Sequence, residues 1–168
     1  MDIYNRLTRR LNDADAGVVA VTSIAGHSCI DEFVEVSVLP GIDLLAVVKS
    51  AVSALGHRRV GLLGTKGVMS SHFYGAIGDL PAVVPRGDSL DQVHDAYVTV
   101  ASTARCTEEQ RTVFFNAGCA LVEEQGAHAV LLAGTDLGLA FDDVDPGFPV
   151  FDCCAAHVDA IAAHAFKA

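Results

Sequence analysis

The chain has 168 residues, is 51% apolar and carries a formal charge of -10 at pH 7, with an isoelectric point near 4.9 and mean hydropathy of +0.39. That length suits one well-buried domain, residues 1–168, and is short for two, while the negative charge argues against nucleic-acid and anionic-membrane partners because it repels phosphate. No apolar run is long enough to span a bilayer, and five cysteines without paired metal-type spacing fit reduced thiols in a cytoplasmic protein better than a disulfide framework.

The first seventeen residues, MDIYNRLTRRLNDADAG, read as an amphipathic helix with Ile3, Leu7 and Leu11 on one face, and lack the apolar centre of a signal peptide. Gly17–Ser23 reads as a buried strand, Ser28–Glu35 as a short helix, and Val36–Leu39 as a brief strand stopped by Pro40 and Gly41. Asp43 is placed to cap a helix running to Leu55 and closed by Gly56. Arg59–Thr65 is the third strand. A helix from about Ser70 to Ile77 follows, then a short strand Ala82–Val84 between Pro81 and Pro85. Asp88–Ala104 and Thr107–Gln125 read as helices, the second opened by a Thr107/Gln110 capping box and stopped by Gly126. Ala129–Ala133 is a buried strand, Val150–Asp152 a short final one, and Ala155–Phe166 the closing helix. Apolar strands alternating with helices predict an α/β fold, a mostly parallel open sheet with helices on both faces.

In such sheets ligands sit at the carboxyl ends of the strands, so the small, hydroxyl-bearing turns after the apolar runs are the first candidates for chemistry. Four segments carry the pattern: GVVAVTSIAGH (17–27), VGLLGTKGVMSSHFY (60–74), AHAVLLAGTDL (127–137) and FDCCAAHVDAIAAHA (151–165). In order and spacing they resemble the aspartate/glutamate racemase superfamily, which includes hydantoin racemases, maleate isomerases and arylmalonate decarboxylases. The resemblance implies a racemase-like three-layer sandwich, a homodimer, no cofactor and a small carboxylate or carbonyl substrate. It also locates departures. Ser23 and Gly134 stand where the family keeps its two catalytic cysteines, Cys153 and Cys154 replace hydroxyl residues, and no counterpart of the family's opening strand and Gly-rich turn precedes Met1. A flavodoxin-like or receiver-type domain fits the alternation less well, because Asp142, Asp143 and Asp145 do not end a clear buried strand.

By the same resemblance, racemases of this kind move an α-proton between two thiols, which titrate near enough to neutral pH to serve as acid and base. A serine and a glycine cannot do this, so ordinary amino-acid racemisation is not expected. The catalytic candidates that remain are His27, one turn beyond Ser23; Cys153, where a helix N-terminus lowers a thiol pKa; Asp152, as orienting group or helix cap; and Ser23 itself. The substrate-binding candidates are Thr22, Thr65, Gly67, Ser71, Gly134, Thr135, Asp136 and His157, a set of hydroxyls and turn amides suited to a carboxylate or an enolate. Thr65 and Thr135 serve equally well as helix caps, and Ser71 and Tyr74 as packing. His57, His72, His94, His128 and His164 have no companions at ligand spacing, so no metal site is expected. Two functions follow: a cofactor-independent isomerase or lyase, or a catalytically inactive racemase-like subunit that binds a metabolite or a protein.

Overall fold

The computed structural model describes residues 2–54, 56 and 58–166; Leu55 and His57, named above, lie outside the described residues. Among the described residues every strand pair is parallel. β1 (Val19–Ala20) and β2 (Gly41–Ile42) form a two-stranded sheet, while β3 (Val60–Gly64), β4 (Ala82–Val83), β5 (Ala129–Ala133) and β6 (Val150–Asp152) form a second sheet in the order β4-β3-β5-β6. The expected α/β class and parallel topology are observed. The helices are α1 (Asp2–Asp13), α2 (Ile30–Val36), α3 (Leu44–Ala54), α4 (Lys66–Ser70), α5 (Asp88–Thr103), α6 (Glu108–Glu123), α7 (Gly138–Phe141) and α8 (Cys153–Ala165), with 3-10 turns at Ala25–Cys29 and Phe73–Gly75. No helix among the described residues is long and apolar enough to cross a membrane.

β3 and β5 are buried at every position and supply the centre of the core, where Leu62, Leu63, Leu131 and Leu132 meet Phe73 and Val93, Val100, Phe114 and Leu121 from the covering helices. Continuous burial explains why these two strands read as unbroken apolar runs. Close approach also demands glycine at two points. A Cβ on Gly64 would stand 2.5 Å from the Ala133 carbonyl oxygen, and one on Gly61 would press on the Leu121 side chain at 2.9 Å. The expected caps are present: Asp43 Oδ1 accepts from Leu45 N at 2.8 Å, and Thr107 and Gln110 form the capping box of α6.

The first forty residues differ most from expectation. Only Val19 and Ala20 of the predicted strand Gly17–Ser23 join a ladder, and both are half-buried, because among the described strands β1 pairs only with β2. Val36 ends α2, and the second strand begins after Pro40, not before it; Pro40 offers a carbonyl, which accepts from Val19 N at 3.0 Å, but has no N–H to give. The apolar face of α1 is uncovered, with Ile3 63%, Leu7 43% and Leu11 41% exposed, while Thr8 is buried. The helix expected at Ser70–Ile77 starts instead at Lys66, directly after β3. It ends in three consecutive non-glycine residues with left-handed backbone, His72, Phe73 and Tyr74, a run no α-helix continues through.

Candidate active site

Three chain segments leave the carboxyl ends of strands and converge. Thr22 and Ser23 follow β1, Thr135 follows β5, and Cys154 and His157 stand in the first turns of α8 after β6; with Val158 and Ile161 they line one cavity of about 310 Å³. The cavity lies where the two sheets meet. α8 packs on both α3 and β5, and the His157 Nε2–H donates to the Ile42 carbonyl at 3.0 Å, tying the helix to β2. A carbonyl only accepts, so this bond places the ring proton on Nε2.

Of the twelve candidate positions, Thr22, Ser23, Thr135 and His157 are brought together, beside Cys154, and Gly134 and Asp136 adjoin them on β5's turn. Thr65, Gly67 and Ser71 are placed elsewhere. Thr65 caps α4, its hydroxyl accepting from Val68 N at 3.3 Å, and Gly67 lies exposed on that helix. The Ser71 hydroxyl closes the turn after it, donating to the Val68 carbonyl at 3.2 Å and accepting from Tyr74 N at 3.0 Å. At the tip of β3 the chain meets α5, where Lys66 pairs with Asp91 and its amide donates to His94 Nδ1 at 3.2 Å. The capping role of Thr65 is the one the structure displays.

The cysteine pair needs a correction. α8 begins at Cys153, not Ala155, so both thiols lie in its first turn rather than on extended chain. Cys153 turns into the core and is fully buried, and burial pushes its thiol well above the usual range, with Asp152 and Cys154 adding to the rise. The helix-terminus lowering expected for it does not occur, because desolvation of a thiolate outweighs a dipole worth at most about 2 kcal/mol. Cys154 is the thiol on the cavity. It too is raised, first by burial and then by the charges of Asp152 and Asp136.

Asp152 is the N-cap of α8: Oδ1 accepts from Cys154 N at 2.7 Å and from Ala155 N at 3.0 Å. Asp152→Ala is expected to cost about 1 kcal/mol of stability and Asp152→Asn nearly nothing, since asparagine caps equally well; urea unfolding of the two variants checks this. An equal loss in both would mean the charge, not the cap, is what matters.

His27 is buried in the 3-10 turn after β1. Its Nδ1–H donates to the Ser23 carbonyl at 2.9 Å, Nε2 is buried without a partner, and its ring meets that of His157 edge-on at 6.1 Å. The side chain does not face the Ser23 hydroxyl as expected; that hydroxyl accepts from Gly26 N. Burial lowers the His27 pKa below 6.5, aided by His157 and opposed by the Ser23 carbonyl and by Asp43. The unfolded chain therefore binds this proton more readily. The stability that neutral His27 contributes is present above pH about 6.5 and is lost as pH falls through the lower folded value. Urea unfolding between pH 7.5 and 5 should show this decline in the native protein and a flatter profile in His27→Gln.

Two participants escaped sequence reasoning. Cys154 is hidden by the ambiguity of where α8 starts, which decides which of two adjacent cysteines faces outward. Tyr97 reads as plain core, because Val93, Ala96, Tyr97 and Val100 share one buried face of α5; yet its hydroxyl donates to Asp136 Oδ2 at 3.4 Å, the oxygen that also receives the Thr135 hydroxyl at 3.1 Å. No group of three or more His, Cys, Asp or Glu among the described residues is placed to hold a metal ion.

The fold recurs in solved structures. A Yersinia pestis protein provisionally assigned as an Asp/Glu racemase matches with a TM-score of 0.85 and 23% identity over 98% of this chain and 73% of its own. An aspartate racemase homologue from Pyrococcus horikoshii gives 0.82 and 23% over the same shares, and the Picrophilus torridus aspartate racemase gives 0.71 and 18% over 96% of this chain and 69% of its own. Likeness at such identities shows the fold. The sequence itself carries the assignment further, for residues 4–161 match the Asp/Glu/hydantoin racemase family, and the chain belongs to it.

Proposed function

We propose that the strand-tip cavity is the active site of a cofactor-independent isomerase or lyase that acts on a small carboxylate or carbonyl compound through an enolate-like state, in a specialised cytoplasmic pathway. The observation that supports this is the meeting of Thr22, Ser23 and Thr135 with a single thiol, Cys154, at one cavity. The Thr22 and Ser23 hydroxyls are donors for an enolate oxygen, the Thr135 proton being given to Asp136, and the thiol carries the proton. With one thiol and no second one facing it, the two-sided proton exchange of an ordinary amino-acid racemase is not available. A thiol that stays protonated at neutral pH serves better as the acid that delivers a proton to carbon than as the base that removes one; the enolate it protonates then arises by loss of carbon dioxide, which needs no base, and the thiolate left behind is reprotonated from water. The same reading takes the chain as one domain and a homodimer, in keeping with the uncovered apolar side chains of α1 and of Val34 and Val38.

The test is turnover of a panel of small carboxylates, substituted malonates and cyclic amides in deuterium oxide, followed by proton NMR. Deuterium entering the α-position, or loss of carbon dioxide, supports the reading. Failure across the panel, with binding retained in ligand-observed NMR, favours the second reading, a catalytically inactive metabolite-binding or accessory subunit.

A further inference from the structure

Gly134 lies at the tip of β5, and its backbone is not left-handed, so its conformation does not call for glycine. Space does. A Cβ on residue 134 would stand 2.7 Å from Tyr97 Cζ and 3.0 Å from its hydroxyl oxygen, so the phenol ring from α5 rests on bare backbone. A phenylalanine would fill the same notch. The hydroxyl, on a side chain only 8% exposed, costs desolvation unless bonded, and the bond it makes is to Asp136 Oδ2. Leu132 stands opposite Asp152 across the β5/β6 ladder, so the turn carrying Gly134 and the start of α8 leave neighbouring strands at the same end of the sheet. Thr135 and Cys154 line the same cavity.

We propose that Tyr97 is a positioning residue of the strand-tip site: seated in the notch left by Gly134, it fixes the Asp136 carboxylate beside Thr135, where the charge acts on the Cys154 thiol. This rests on the proposed function only in taking Cys154 as the group that carries the proton. A carboxylate held near a thiol disfavours the thiolate, and Asp136 is among the charges that raise Cys154, after burial and Asp152. The groups around that thiol divide clearly. Asp152 and Cys153 belong to α8's own start, His157 is bound to the Ile42 carbonyl, and Thr22, Ser23 and Thr135 bring no charge. Asp136 is the charge brought to it from another element, and Tyr97 is what holds Asp136 from α5.

The experiment is the pH dependence of Cys154 alkylation by iodoacetamide in the full chain, the modified residue being located by peptide mass spectrometry. Tyr97→Phe and Asp136→Asn should each move the midpoint down by roughly half a pH unit or more, and the double variant should go no lower than Asp136→Asn alone. Thermal unfolding of Tyr97→Phe accompanies the titration, so that a shift caused by loosened packing is recognised. An unchanged midpoint in Tyr97→Phe, an unchanged midpoint in Asp136→Asn, or fully additive shifts would each overturn the proposal. The titration needs no substrate. Absence of turnover on the carboxylate panel therefore defeats the catalytic reading alone, and an unchanged midpoint defeats the role of Tyr97 alone.

Discussion

Gly64→Ala is expected to destabilise the protein by about 3 kcal/mol, the upper part of the usual range for overpacking. The upper part applies because the obstacle is backbone. The new methyl would lie 2.5 Å from the Ala133 carbonyl oxygen and 3.1 Å from its carbon, at the last rung joining β3 to β5. A flexible side chain could swing away; a carbonyl in a parallel ladder cannot, and the buried leucines on either side, Leu63 and Leu132, hold both strands in place. At about 2 to 4 °C per kcal/mol for a chain of this size, the melting temperature should fall by roughly 6 to 12 °C. Gly17→Ala is the control, since a Cβ there meets nothing within 4 Å and should change stability by less than about 0.5 kcal/mol. If the two variants melt together, the close approach of β3 and β5 is not as described.

The second large effect separates the adjacent cysteines. Cys154→Ala should lower turnover of any substrate found on the panel by about 100-fold or more, the usual loss when a positioned proton carrier is removed, with little change in stability because the side chain is partly exposed on the cavity. Cys153→Ala should do the reverse. Its thiol is fully buried in the core, so the variant is expected to lose about 1 to 2 kcal/mol through the cavity it leaves while the folded fraction retains its rate. Turnover normalised to folded protein, measured beside urea unfolding, reads both arms. Equal loss of rate in the two variants would mean that the start of α8, not one thiol, sets activity.

Much of the framework was legible in the chain because it is written in local terms. β3, β5 and β6 show as apolar runs of strand length, and α5 and α6 as periodic segments with their own stops, because burial on both faces or on one face leaves a direct trace in residue order. The same holds for the caps at Asp43, Thr107 and Asp152, where a side chain closes on amides two or three residues away. Reading failed where partners are distant. β1 is two residues long because of what pairs with it, not because of its own sequence, and the turn at His72–Tyr74 holds three non-glycine residues in left-handed backbone ahead of Gly75, which their side chains do not announce.

The candidate site divides along the same line. Thr22, Ser23, Thr135 and His157 could be named in advance, since each follows directly on a strand or opens a helix, and strand ends are where a parallel sheet exposes its turns. That Thr65 turns away to cap α4 while Thr135 faces the cavity could not, because both turns offer a threonine and the choice between them is made by the segments packed around each.

The sequence by itself determined the α/β class and the order of the central elements, both properties of residue identity and periodicity. Only the tertiary structure decided that Cys154 and not Cys153 meets the cavity, and that Tyr97 stands on Gly134 with its hydroxyl on Asp136. The physical reason is one of range: hydrophobic period and helix caps act over a few residues, whereas which side chain fills a given volume is settled by segments that meet only after the chain has folded.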